Sequence, residues 1–189
     1  MNTLEAIYGR RSIRRFRDRP VPRQLIEQVL DATTQAPSGK NRQPWRFVVV
    51  EGPQKRAEMV RVMRSGIEKA RQAGVDLGSS ENTARIMEQA PVTVFVFNAE
   101  QTDEAGESPM FPVDYQSIGG AIQTMLLAAH ELGLGSLWIC DVFYAYDELR
   151  EWLGRSDQMV AAVSLGYADE APDARPRVPW QDLATWLAD

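Results

Sequence analysis

The chain has one cysteine and one histidine among its 189 residues. An internal disulfide is therefore impossible, and a zinc cluster of the usual Cys and His kind has too few ligands. No apolar run is long enough to span a bilayer. The opening residues, Met1 to Glu5, lack the apolar segment of a secretory signal, so a cytoplasmic setting is expected. Low-complexity tracts and internal repeats are missing as well. With no thiol pair and no metal cluster, redox chemistry would have to be carried by a bound cofactor.

What is present is the ordinary mixture of a globular domain, with 44% hydrophobic and 25% charged residues, which argues against disorder. This length suits one domain with a sizeable core and is short for two, so residues 1–189 are expected to form a single unit. The net charge of −5 weighs against a general affinity for nucleic acid.

Periodicity predicts helices over 3–9, from Pro22 onward, 54–73, 83–90, 114–132 and 147–153, and strands over 47–50, 92–97, 137–140 and 160–165. Asn2 or Thr3 is the expected N-cap of the first helix, and Gly133 is the expected C-cap of the longest one. Residues 10–20 carry Arg10, Arg11, Arg14, Arg15, Arg17 and Arg19 ahead of Pro20 and read as an extended arm. Residues 60–80 and 101–116 are expected to be variable, mobile and substrate-facing. The tail around Trp180, Leu183 and Trp186 forms a small apolar segment. Strands interleaved with helices predict a mixed α and β domain.

Four constellations bear on chemistry. In an extended arm Arg10, Ser12 and Arg14 share a side, which suits a phosphate and a polar ring edge; the same residues also read as a solvated basic face or a nucleic-acid contact. The loop Pro37-Ser38-Gly39-Lys40-Asn41-Arg42-Gln43-Pro44-Trp45 can present amides to a flat heterocycle, or simply join a helix to a strand. Gly119-Gly120-Ala121 and Gly133-Leu134-Gly135-Ser136-Leu137-Trp138-Ile139-Cys140 supply small residues for a close approach. The second of these follows a helix and lacks a third glycine, so it is not a dinucleotide fingerprint. Arg175-Pro176-Arg177-Val178-Pro179 reads as a basic pair able to reach a phosphate, or as a surface loop.

Taken in order, RRSIRRF near the start, APSGKNRQPW before a strand, AAHELGLGSLWIC and the late basic pair resemble the nitroreductase family over nearly the whole chain. The resemblance implies an α+β fold, with a central, mostly antiparallel sheet flanked by helices, in an intertwined homodimer that binds FMN at its interface. It implies that Arg10 holds the phosphate, that Arg11 and Ser12 lie beside it, and that Arg14 meets the pyrimidine edge of the flavin. Pro37, Ser38, Asn41 and Gln43 would approach from the second subunit. Asn82 and Arg85 would contact the ring, with arginine standing where the family commonly has lysine. Trp138, Ile139, Cys140 and Asp141 would border the ring, the last two through backbone N–H groups. Arg175 and Arg177 would close on the phosphate. His130 is expected to be a packing or surface residue.

The implied activity is ping-pong hydride transfer from NADH or NADPH, through FMN, to a small electron-poor acceptor such as a nitroaromatic or a quinone. No catalytic side chain, metal, membrane or nucleic-acid partner is expected. Two alternatives stay open. One is a flavin-dependent dehalogenase or flavin-fragmenting enzyme of the same superfamily. The other is a non-catalytic nucleic-acid binder that uses the basic arm.

Overall fold

A computed structural model describes residues 2–99 and 111–188, the side chains of 111 and 112 excepted. Its centre is a four-stranded sheet in the order β1-β2-β4-β3, with every pairing antiparallel. The strands are β1 (Trp45–Glu51), β2 (Val92–Asn98), β3 (Gly135–Ile139) and β4 (Gln158–Gly166). The helices are α1 (Thr3–Gly9), α2 (Arg23–Thr34), α3 (Pro53–Gln72), α4 (Ser80–Gln89), α5 (Phe111–Glu131) and α6 (Tyr146–Trp152). All described strands and helices expected from periodicity are there, most with ends moved by one to three residues.

The sheet is covered on both faces, which is why β2 reads as a continuous apolar run although its neighbours are antiparallel. All seven of its residues are buried. Val92, Val94 and Val96 face Ile118, Ile122 and Met125 of α5 and Val29 of α2. Phe95 and Phe97 face the opposite layer, with Met59, Met63 and Ile67 of α3 and Met87 of α4. Each of these large side chains contributes about 1.5–3 kcal/mol by leaving water. Residues 60–72, expected to be a variable stretch over the site, therefore belong to a helix whose inner face is core. The other stretch expected to vary lies largely outside the described residues, at 101–110.

Caps bear out the sequence expectations at two helices. Asn2 and Glu5 form a reciprocal capping box on α1. At the end of α5, the Leu134 N–H donates to the Ala129 carbonyl and the Gly133 N–H to the His130 carbonyl, with Gly133 at φ 75°. That left-handed residue is the one a Schellman cap requires, and it turns the chain directly into β3.

The basic arm is extended and lies along the edge of the sheet. Ser12 bridges Ser136 in parallel, and Phe16 bridges Ala168 in antiparallel fashion. Ile13 and Phe16 enter the core beneath it. A Cβ on Gly135 would stand 2.9 Å from Ile13, so glycine there lets the arm lie flat against β3.

Candidate functional site

The arm alternates as its sequence predicts. Ile13 is buried, while Arg10, Ser12 and Arg14 line a cavity of about 340 Å³. Arg175 and Arg177 line it from the other end of the chain, with Pro172, Asp173 and Ala174. Arg11 lines it as well, and its guanidinium donates to the Tyr8 carbonyl at 2.7 Å and the Arg10 carbonyl at 3.0 Å, so it also closes the end of α1. Glu170 holds the arm in place: its carboxylate accepts from the Arg14 and Arg15 N–H groups and pairs with the Arg15 side chain at 3.4 Å.

This cavity is electrostatically unbalanced. Burial, then the charges of Arg177 and Arg11, push the Arg10 guanidinium below its ordinary value. Arginine nevertheless stays protonated, and the Arg10 Nε is buried with no hydrogen-bond partner. A buried cationic donor without an acceptor is costly unless an anion completes it. The arrangement fits a multiply charged anion such as a phosphate monoester.

A second patch forms after β3. Ile139 is buried and can offer only its backbone outward, whereas Trp138 is 38% exposed. The chain then turns through a 3₁₀ segment, Asp141–Ala145, with Cys140 exposed at its start. Burial, then the Asp141 charge, raise the Cys140 thiol above its ordinary value. Asp141 Oδ2 accepts from Ser79 Oγ at 2.6 Å and from Thr83 Oγ1 at 2.7 Å. Both donors lie at the start of α4, the helix that carries Asn82 and Arg85. Arg85 Nη2 donates to Asn82 Oδ1 at 2.6 Å; Arg85 is exposed and Asn82 half-buried.

The third patch is the loop between α2 and β1. Lys40, Asn41 and Gln43 all have positive φ, at 53°, 54° and 49°. Three non-glycine residues in this region carry strain that the surroundings must offset. The Gly39 N–H donates to Ser117 Oγ at 3.2 Å, Arg42 pairs with Asp114 at 3.2 Å, and the Gln43 N–H donates to Ser38 Oγ at 3.1 Å. Pro37, Asn41 and Gln43 remain exposed.

The sequence-derived site residues thus fall into three groups. Arg10, Arg11, Ser12, Arg14, Arg175 and Arg177 converge. Asn82, Arg85, Cys140 and Asp141 are joined through α4, with Trp138 and Ile139 just before them. Pro37, Ser38, Asn41 and Gln43 stand apart. They are tied to the start of α5, whereas His130, at its other end, lines a second, adjoining cavity that Arg10 also borders. Thirteen helical residues separate Ser117 from His130, about 20 Å. Sequence reasoning missed Glu170, Asp114, Ser79 and Thr83. Ser79 carried a usable signal, a hydroxyl just before the apolar repeat Ala84, Ile86 and Met87. The acids carried none, because each acts across the fold.

Among the described residues no helix is long and apolar enough to cross a membrane. The model of the nitroreductase family matches residues 7–167. A Methanothermobacter thermautotrophicus protein, provisionally named an NADH dehydrogenase/NAD(P)H nitroreductase, is 32% identical, covering 93% of this chain and 82% of its own. The 5,6-dimethylbenzimidazole synthase of Rhodospirillum rubrum is 30% identical, covering 94% and 89%. Among solved structures, a Desulfovibrio desulfuricans protein provisionally named a nitroreductase and crystallised with FMN is 28% identical with a TM-score of 0.77, covering 100% of this chain and 98% of that one. A family match across residues 7–167, with relatives of this identity along almost the whole chain, places the protein: it belongs to the nitroreductase family.

Proposed function

We propose that this chain is an FMN-dependent oxidoreductase that moves electrons from NADH or NADPH to a small electron-poor acceptor, such as a nitroaromatic or a quinone. The observation that carries this reading is the buried, unpartnered Arg10 Nε inside a cavity that Arg14, Arg175 and Arg177 also line. The terminal phosphate of FMN is a dianion of the right chemistry for that site. When bound, FMN supplies a two-electron carrier that takes a hydride from the nicotinamide and passes the electrons on.

The protein's own part is binding, orientation and electrostatics. Arg10, Arg175 and Arg177 neutralise the phosphate, with Arg11 and Ser12 beside it. Arg14 sets a positive charge toward the ring edge where reduction places negative charge. The Cys140 and Asp141 N–H groups face the ring, Asn82 and Arg85 border it, and Trp138 and Ile139 lead the chain to it. None of these side chains has to act as a nucleophile or exchange a proton. A cytoplasmic setting, where nicotinamide is reduced and at hand, belongs to the same reading.

A second copy completes the site. Pro37, Ser38, Asn41 and Gln43 are tied to α5 at Ser117, about 20 Å along the helix from His130, whose cavity adjoins Arg10; that separation favours their serving the flavin of another chain. Val178, Trp180, Leu183, Trp186 and Leu187 are at least 59% exposed, as are Leu4 and Tyr8 of α1. Apolar surface on this scale favours burial against a partner. The chain then acts as one domain within a homodimer that buries more than about 2,000 Å².

The visible spectrum of the purified protein, identification of the flavin released on denaturation, and anaerobic titration with each nicotinamide test the activity. A protein that stays colourless after incubation with FMN, or that releases FAD, overturns it. A sedimentation mass of one chain with flavin still bound overturns the dimer. The 30% identity to the Rhodospirillum rubrum synthase favours one second reading, an enzyme that breaks down its own flavin. Failure of both NADH and NADPH to reduce the flavin, with loss of flavin absorbance when a chemically reduced sample meets oxygen, would select it.

A further inference from the structure

Ser79, Asn82 and Arg85 are spaced three apart at the start of α4, so they form one ridge on the helix surface. Ser79 is the N-cap residue, yet its side chain makes no capping bond to its own helix. It donates instead to Asp141 Oδ2 at 2.6 Å, and Thr83, one turn later, donates to the same oxygen at 2.7 Å. Thr83 is 6% exposed. One carboxylate oxygen from the turn after β3 thus receives two hydroxyls from a different element. Such charge-assisted bonds are about twice as strong as neutral ones, and a negative charge at a helix start is further favoured by the helix dipole.

The two elements that this clamp joins are those that present the Cys140 turn and the Asn82–Arg85 pair. From this geometry we infer that the Asp141 carboxylate is a positioning group, which registers Arg85 against the Cys140 turn and thereby sets how strongly that cation favours reduced flavin. The inference rests on the FMN reading above. It gives Asp141 two separate duties: its backbone N–H faces the ring, and its side chain orients a neighbour without touching the cofactor.

Charge alone and position predict opposite signs, which makes the idea testable. Removing a nearby negative charge stabilises reduced, negatively charged flavin and raises the reduction potential. Loosening Arg85 withdraws a positive charge and lowers it. The measurement is the reduction potential of FMN-saturated Asp141→Asn, and of the double variant Ser79→Ala with Thr83→Val, which keeps the carboxylate and deletes both donors. The double variant serves if Asp141→Asn does not fold.

The expected result is a three- to tenfold shift toward oxidised flavin in each variant, a drop of about 15–30 mV for a two-electron couple. Affinity for oxidised FMN should stay within about threefold in the Ser79→Ala, Thr83→Val double variant, which leaves the phosphate cavity and the residues bordering the ring in place. In an Arg85→Ala background the same substitutions should no longer lower the potential. An unchanged or raised potential in the double variant overturns the inference, as does a drop of the same size when Arg85 is already gone. A wild-type protein that takes up no FMN overturns the functional reading instead, and that outcome is seen before any variant is made.

Discussion

Arg42 and Asp114 meet with Nε 3.2 Å from a carboxylate oxygen, and burial falls on one partner: the Asp114 side chain is 3% exposed and that of Arg42 is 30% exposed. The acid belongs to the start of α5 and the base to the strained loop before β1. Removing Arg42 takes the cation from a buried carboxylate, while removing Asp114 takes one of several ties from a loop with three residues at positive φ. Asp114→Ala should therefore cost about 1–3 kcal/mol, below the value for a fully buried pair because Arg42 is partly solvated. Urea unfolding at fixed protein concentration measures it. A loss below about 0.5 kcal/mol would mean that the loop holds its shape without the pair.

The arginine cavity should show a trade between stability and binding. Arg177 is a source of the repulsion on Arg10, so Arg177→Ala relieves the empty site. The flavin-free melting temperature is expected to hold or rise slightly, since exposed charge pairs are worth less than about 1 kcal/mol. FMN affinity should fall roughly ten- to a hundredfold, the equivalent of one charged hydrogen bond. Thermal scans of stripped protein beside FMN titrations test both signs. A lower melting temperature in the stripped protein would make Arg177 a structural residue.

Arg10 and Arg14 line one cavity but should differ in what they control. A phosphate contact holds oxidised and reduced flavin alike, so Arg10→Ala is expected to weaken FMN without moving its potential. Arg14→Ala should lower the potential of flavin-saturated protein, with about 1.4 kcal/mol corresponding to about 30 mV. Arg14→Lys should restore part of the shift, since the charge returns without the planar fork. Potentials that move with Arg10 and not with Arg14 would reverse the assignment.

Cys140 is exposed, yet its thiol is raised by partial burial and, next, by the Asp141 charge. At neutral pH it should be protonated and alkylate more slowly than a free cysteine, because the thiolate is the nucleophile. The rate with iodoacetamide should climb with pH, with a midpoint above the ordinary thiol value. In Asp141→Asn the midpoint should move down, since the second cause is gone while burial remains. A wild-type midpoint at or below the ordinary value would show that some cation outweighs both.

Much of the fold was legible because its signals are local. The stripe Ile118, Ile122, Met125, Leu126 and Ala129 announced α5, Gly133 announced its end, and the apolar run from Val92 announced a strand buried on both faces. The arm was legible for the same reason, since alternate side chains at Arg10, Ser12 and Arg14 need only an extended backbone. Arg11 departs from that alternation: it lines the cavity beside Arg10 and Ser12 while its guanidinium donates to the Tyr8 and Arg10 carbonyls. What stayed hidden acts across the chain. The carboxylates of Glu170, Asp114 and Asp141 carry no local signal, and each gains its role only when a distant element arrives. The split of the candidate site into three groups was hidden for the same reason, since spacing along the chain does not say which end of α5 a loop will meet.

The pairing of the arm has a consequence for synthesis. Ser12 and Phe16 find their backbone partners at Ser136 and Ala168, roughly 120 and 150 residues later, and Arg177 reaches the same cavity later still. Such distant closures form late. At about 5–20 residues per second, the six arginines of the arm emerge from the ribosome and wait about 6–30 s before anything exists for them to lie against. In that interval the nascent chain has the ligands of one half of the anion cavity and no cavity. On the FMN reading, binding at full affinity then follows translation through Arg177, and a chain stopped short of that point would hold its flavin more weakly.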